Sequence, residues 1–226
     1  MHIEPELVTG AKLLLSYATA TVSFGLIARA SLQAIKQDGL NTLLIRSLMS
    51  VMAVFVFFEL FIHHPVGVSE VHLILGSSLF LLLGPAAAGL GLAGGLLIQG
   101  AFFAPIDLPQ YGMNVTTLIL PLFAMSELAK RIIPRKTKYI DLSYSQTLKL
   151  SFAYQGGIIA WVAFWAVYGQ GFEASNLSSV ATFGAAYFSV ILLEPVVDLG
   201  LLALAKTLSH FRFVTLFEKR LYSTQE

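Results

Sequence analysis

The sequence predicts an all-α, polytopic membrane protein: a bundle of about seven spans, N-terminus outside and C-terminus cytoplasmic. Three observations predict it. Of 226 residues, 12% are charged and 56% hydrophobic, against about 25% charged in soluble domains, and the mean hydropathy is +0.76. Apolar stretches of roughly 20 residues, each long enough to span a bilayer, recur along the chain. Apart from Lys12, Lys and Arg gather in alternate connections. The whole chain, 1–226, is expected to form a single multi-pass domain of the cell (inner) membrane, with membrane lipid around it.

The first span is read at about Leu7–Ala30, with Lys12 near its start, and the second at about Leu43–Ile62. The third (about Val71–Pro85) and fourth (about Ala86–Ala104) meet at a tight Gly84-Pro85 turn. The fifth follows at about Val115–Ile132, the sixth at Leu148–Gly169 and the seventh at Val180–Leu204. The first span is too long, and its leading residues too acidic, for a cleaved secretory signal. Residues 205–226 read as a cytoplasmic tail, a short amphipathic helix and then a frayed end. No internal repeat points to an inverted-repeat transporter.

Orientation follows from the basic residues, because cytoplasmic loops carry the excess. Arg29, Lys36 and Arg46 flank the first connection, and Lys130–Lys149 carries the main cluster. Residues 63–70, 105–113 and 170–179 hold no Lys or Arg. Of the fourteen basic residues, only Lys12 falls on the outer side.

Composition also excludes function classes. A net charge of +1 gives no bias toward nucleic acid, and the absence of Cys removes disulfides and thiolate metal sites. No Gly-x4-Gly-Lys-Ser/Thr loop is present to bind nucleotide phosphates. The chain is expected to be no enzyme and to need no cofactor.

The outer face collects ligand chemistry. His2, His63, His64 and His72 lie there, with only His210 inside. The terminal amine of Met1, with the amide nitrogen and imidazole of His2, forms consecutive chelate rings when Nδ1 is used. One more imidazole completes a four-nitrogen plane. That set suits Ni(II), Cu(II) and Co(II), whereas Zn(II) prefers a tetrahedron and Mg(II) or Ca(II) prefer oxygen. His72, where the third span begins, is one choice for the fourth nitrogen; His63 and His64, in the loop before Pro65, are the others.

Met1-His2-Ile3, His64-Pro65-Val66 through Val71-His72-Leu73, Gly84-Pro85, Leu97-Ile98-Gln99 and Gly112-x-Asn114-Val115 together resemble the CbiM/NikM family. These are the substrate-binding membrane components of energy-coupling-factor (ECF) transporters for cobalt and nickel. The resemblance is strongest over Met1–Pro121. It implies that the N-terminal segment, residues 1–7, folds back into the bundle, with Met1, His2 and His72 as metal ligands. It implies Co(II) or Ni(II) as transported substrate. The implied partners are an ECF membrane scaffold subunit, cytoplasmic ATPases and a small accessory membrane subunit. The family pattern Met-His-Ile-Pro-Glu-Gly is replaced here by Met-His-Ile-Glu-Pro-Glu, and Thr117 and Leu118 stand where a second Asn and a Met are usual. The rival readings are an accessory or sensor protein that binds metal without transport, and a membrane metalloenzyme using His63, His64 and His72 with Asp107.

Other polar residues admit two readings each. Gln99 and Asn114 either bond neighbouring helices or orient the metal-binding imidazole. Asp107 and Tyr111 either attract the cation or sit in a solvated loop. Glu59, Glu194 and Asp198 are carboxylates in or near spans, where charge is costly. Glu194 and Asp198 share a helix face, and pairing with Arg29 or Lys206 is the expectation. Gly91-Leu-Ala-Gly-Gly95 is read as a site of close packing inside the bundle, with a docking face for a partner as the alternative.

Overall fold

A computed structural model of the chain describes residues 3–4, 7–59, 64–210 and 216–224. Met1, His2 and His63 lie outside the described residues, as does the side chain of Glu59.

Helices dominate: α1 (Leu13–Asp38), α2 (Leu40–Glu59), α3 (Gly76–Leu83), α4 (Pro85–Phe102), α5 (Tyr111–Ile132), α6 (Tyr144–Gln170), α7 (Ala174–Thr207) and the short α8 (Lys219–Tyr222). A small hairpin, β1 (His64–Val66) and β2 (Ser69–Val71), separates α2 from α3. Among the described residues, six helices are long and apolar enough to cross a membrane: α1, α2, α4, α5, α6 and α7. Their outward faces carry exposed Leu14, Val22, Leu48, Met52, Phe188 and Leu193, which suits contact with lipid. The protein is therefore a multi-pass membrane protein.

The third predicted span takes a different form. Eight residues of α3 rise only about 12 Å, too little for a hydrocarbon core of about 30 Å. Residues 72–75, before it, are non-helical. Yet this segment does run the length of the bundle. Its start continues from β2, and near its finish the Leu82 carbonyl accepts the Glu218 N–H at 2.8 Å, from the tail. The directions of α2 and α4 agree, because Gly91 abuts Ser50 and Gly95 abuts Val54, which is a parallel register. The chain must return between them, and residues 72–83 are that return. It is buried through most of α3, so neighbouring helices rather than lipid surround its irregular backbone.

Sequence explains the local breaks. Gly84 takes φ 85°, a conformation that L side chains resist, and Pro85 opens α4 where its missing N–H costs nothing. Ser143 caps α6 reciprocally: Gln146 Oε1 accepts the Ser143 N–H at 3.0 Å, and Ser143 Oγ accepts the Gln146 N–H. Lys12, the exception to the charge pattern, donates from Nζ to the Gly169 carbonyl at 2.8 Å. A cation there meets the negative end of α6.

One expectation holds and one changes. Gly91–Gly95 packs internally: a Cβ on Gly91 would lie 1.9 Å from Ser50 Oγ, and one on Gly95 2.5 Å from Val54 Cγ1. The small residues let α2 and α4 touch. The tail is also more ordered than a frayed end. Arg220 donates to the Ile133 and Pro134 carbonyls at 3.0 and 3.1 Å, and Lys219 donates to the Gln37 carbonyl at 3.1 Å. Arg46 pairs with Asp38 at 2.8 Å and faces Glu218 at 3.7 Å. Asp38, Arg46, Glu218 and Arg220 line a cavity of about 690 Å³ together with Arg29, Leu43, Phe80 and Lys130, at the basic end of the bundle.

Candidate metal site

The opposite end carries the hairpin. Gly67 makes its turn at φ 63°, so close to α7 that a Cβ would lie 2.2 Å from the Ser179 carbonyl oxygen. Against this hairpin lies the start of the chain. Ile3 forms an antiparallel bridge with Ser69, and the Glu4 N–H donates to the Val68 carbonyl at 3.4 Å. Ile3 is fully buried. Its N–H, which faces away from the strand bridge in need of an acceptor, donates to Asn114 Oδ1 at 2.9 Å. Ile3 and Glu4 are thus held by the hairpin, and Ile3 also by α5.

His72 follows β2 directly and is 2% exposed. Phe58 of α2 stands edge-on to its ring at 5.4 Å. Its Nε2 lies 2.8 Å from Glu70 Oε2. An ionised carboxylate only accepts, so Nε2 is the donor to Glu70, and in the neutral tautomer that matches this bond the lone pair is on Nδ1. A carboxylate behind a ligating imidazole fixes its tautomer and raises its basicity. Glu70 is the residue that sequence reasoning missed. The signal was its i,i+2 spacing to His72, which places both on one face of an extended strand.

The other candidates separate. Asn114 is buried on α5 and reaches the N-terminal segment. Gln99 is buried on α4, where its carbonyl takes the N–H groups of Phe103 and Ala104 at the helix end. His64 is exposed on β1, opposite Val71. Asp107 is half-buried in a 3-10 turn, Pro105–Gln110. The Tyr111 hydroxyl donates to the Ala93 carbonyl at 2.9 Å, which ties α5 to α4. Among the described residues no three His, Cys, Asp or Glu side chains converge as a metal cluster.

Glu194 and Asp198 depart from expectation. Lys206 pairs with Asp141 at 3.0 Å. Asp198 instead accepts from Ser77 Oγ at 2.8 Å and from Ser78. Glu194 accepts from Ser151 Oγ and Gln155 Nε2, both at 2.9 Å. Hydroxyl and amide groups of α3 and α6, rather than a basic residue, hold the pair.

Fold and site together define a class: a helical membrane protein with a buried imidazole, backed by a carboxylate, beside a hairpin on which Ile3 docks. Two solved structures share the fold. "Crystal Structure of an transition metal transporter" aligns at TM-score 0.70 and 15% identity, over 99% of this chain and 100% of that one. "Crystal Structure of an Truncated Transition metal Transporter" aligns at TM-score 0.68 and 15% identity, over 94% and 100%. No curated protein sequence matches. The family model for CbiM, the cobalt uptake substrate-specific transmembrane region, matches residues 2–211. The chain belongs to that family, and it is a membrane component of metal uptake.

Proposed function

We propose that this chain captures Co(II) or Ni(II) at the outer face for an ECF-type transporter. The ligands are the Met1 amine, the amide and imidazole nitrogens of His2, and His72 Nδ1. The observation that carries this reading is the bridge from Ile3 to Ser69 and Asn114, three residues of chain from His72. His2 is bonded to Ile3, so its Cα lies about 3.8 Å from that anchored residue. Planar nitrogen coordination supplies the selectivity: it suits d-block ions of this kind and rejects the oxygen-seeking Mg(II) and Ca(II). The amine and the amide lose protons on ligation, so capture releases protons and strengthens with pH.

On this reading the hairpin end faces outward and the basic end faces the cytoplasm. Residues 1–226 act as one domain. A scaffold membrane subunit couples it to separate ATPases, which supply the energy.

The test is a one-residue extension. Gly placed before Met1 moves the amine out of its chelate ring and leaves every side chain in place. Purified protein with the authentic start binds Ni(II) and Co(II) in competition with a chromophoric chelator; the extended protein, equally stable to heat, does not. Equal binding by both would refute the amine as a ligand and return the site to side chains alone.

A further inference from the structure

The cavity at the basic end opens in one direction. Its volume, about 690 Å³, is that of a small-molecule site. Near their first turns α1 and α5 lie close: a Cβ on Gly112 would sit 3.0 Å from the Ser16 carbonyl oxygen. Further along, from Leu26 of α1 and Phe123 of α5, both helices line the cavity. Its exposed lining residues all belong to these two helices: Arg29, Gln33 and Gln37 on α1, Glu127 and Lys130 on α5. From Leu26 to Gln37 the α1 side of this seam rises about 16 Å. An opening of that length between two membrane-crossing helices faces lipid as well as water. Behind it the wall is partly apolar, with buried Phe80 and Ala87.

Charge in the cavity does not balance. Arg29, Arg46, Lys130 and Arg220 line it, against Asp38, Glu127 and Glu218. The carboxylates are taken. Asp38 pairs with Arg46 at 2.8 Å and also with Lys219. Glu127 pairs with Lys130, and Glu218 faces Arg46 at 3.7 Å. Among the described residues, Arg29 and Arg220 pair with no carboxylate. Arg29 is exposed at the mouth. Arg220 is 5% exposed; one terminal nitrogen reaches the Ile133 and Pro134 carbonyls, while its Nε donates to no group among the described residues. A buried guanidinium without an anion is costly, and its fork of N–H donors matches phosphate oxygens.

A phosphate can come from a lipid headgroup or as the free ion. The lateral seam and the apolar inner wall favour lipid. Basic pockets between transmembrane helices near one membrane face are sites for anionic headgroups. We propose that this cavity holds the phosphate of an anionic phospholipid, with Arg29 and Arg220 as its cations and the acyl chains leaving through the seam between α1 and α5. The bound headgroup braces the tail, through Arg220, against both helices. The site lies at the opposite end from His72 and does not depend on how the outer metal is ligated.

The experiment is thermal unfolding of the full chain in a neutral maltoside detergent, titrated with phosphatidylglycerol or, in parallel, phosphatidylcholine. Phosphatidylglycerol is expected to raise Tm saturably, by about 5 °C at a hundred times its Kd. Phosphatidylcholine, which carries its own cation, leaves Tm nearly unchanged. Arg29→Gln keeps the wild-type Tm in detergent alone, because Arg29 is exposed and unpaired, and moves the lipid midpoint about tenfold higher. Arg29→Lys keeps the charge without the fork and falls between. Lys36→Gln removes an exposed cation of α1 outside the cavity and leaves the midpoint where it was. Equal responses to the two lipids overturn the proposal, as does an unmoved midpoint in Arg29→Gln. A shift in Lys36→Gln as large as in Arg29→Gln also overturns it, by assigning the effect to diffuse surface charge. A saturable rise with sodium phosphate that matches the one with phosphatidylglycerol overturns the lipid and assigns the cavity to the free ion.

Discussion

Asn114→Ala tests whether the N-terminal segment is held for metal capture. The substitution removes the acceptor of the Ile3 N–H, a bond of 2.9 Å between residues 0% and 1% exposed. With no water at hand, the stranded N–H costs about 1–3 kcal/mol. That penalty falls on the closed segment, because an open segment leaves the N–H to solvent. At about 1.4 kcal/mol per tenfold, closure weakens by roughly 5- to 150-fold. Apparent metal affinity falls by up to the same factor, as the competent fraction shrinks. The assay is competitive titration of Ni(II) and Co(II), with hydrogen exchange of the Ile3 amide to report opening directly. Asn114→Asp keeps an acceptor oxygen and is expected to bind within several-fold of wild type. An Asn114→Ala protein that binds metal within twofold of wild type, with a faster-exchanging Ile3 amide, would refute the reasoning: the segment would open without cost to capture.

Glu70→Gln leaves a neutral group beside His72 Nε2 and weakens the basicity of the ligand, so metal affinity should fall about 10- to 100-fold; titration checks this, and Glu70→Asp should fall between the two. Gly91→Ala drives a methyl into Ser50, where a Cβ would meet Oγ at 1.9 Å and the backbone carbon at 2.8 Å. The parallel helices α2 and α4 must part, and thermal unfolding should show a loss of roughly 1–3 kcal/mol, with Gly94→Ala milder because its nearest contact is 3.0 Å from a single valine methyl. Burial holds the Glu218 carboxyl above its ordinary value, against the opposing pull of Arg46. The folded state then binds more protons than the unfolded one between the ordinary and the raised value, so stability falls as pH rises through that window. Glu218→Gln should flatten this part of the Tm–pH curve.

Much of the fold was legible because lipid imposes a simple rule. Six of the predicted spans are long helices, and their apolar length and flanking charges were enough to find them. The third was legible as a crossing but not as a structure. Hydropathy over Val71–Pro85 records burial, and burial by protein reads like burial by lipid. His72 stood out because it opens the third predicted span on the side of Met1 and His2, where one more imidazole is wanted. Its support by Glu70 did not, since strand pairing of residues 64–71 is set by a turn at Gly67 and by docking on α7. The setting of Glu194 and Asp198 was half visible. The spacing of Glu194 and Asp198 put them on one face, but their serine and glutamine partners come from α3 and α6, far away in sequence. Charge bookkeeping suggested Lys206, which turns outward to Asp141 instead.

The broken third crossing explains why the candidate metal site is where it is. A continuous helix through residues 72–83 would pair its own backbone throughout and present His72 as one side chain among many. Here the helix begins only at Gly76, and Leu75 before it takes φ 53° and ψ 37°, the sole positive φ of a non-glycine among the described residues. That conformation costs a leucine roughly 1–2 kcal/mol, and such strain persists only where the surroundings over-determine it. The surroundings do so from both directions. Above Leu75, β2 pairs with β1 and with Ile3, and His72 is gripped by Glu70. Below it, Ser77 and Ser78 are gripped by Asp198, and Tyr154 packs onto Gly76. Leu75 is therefore the joint between two fixed ends, the imidazole of His72 and the serines held by Asp198. A change at either end that shifts residues 72–78 must pass through it.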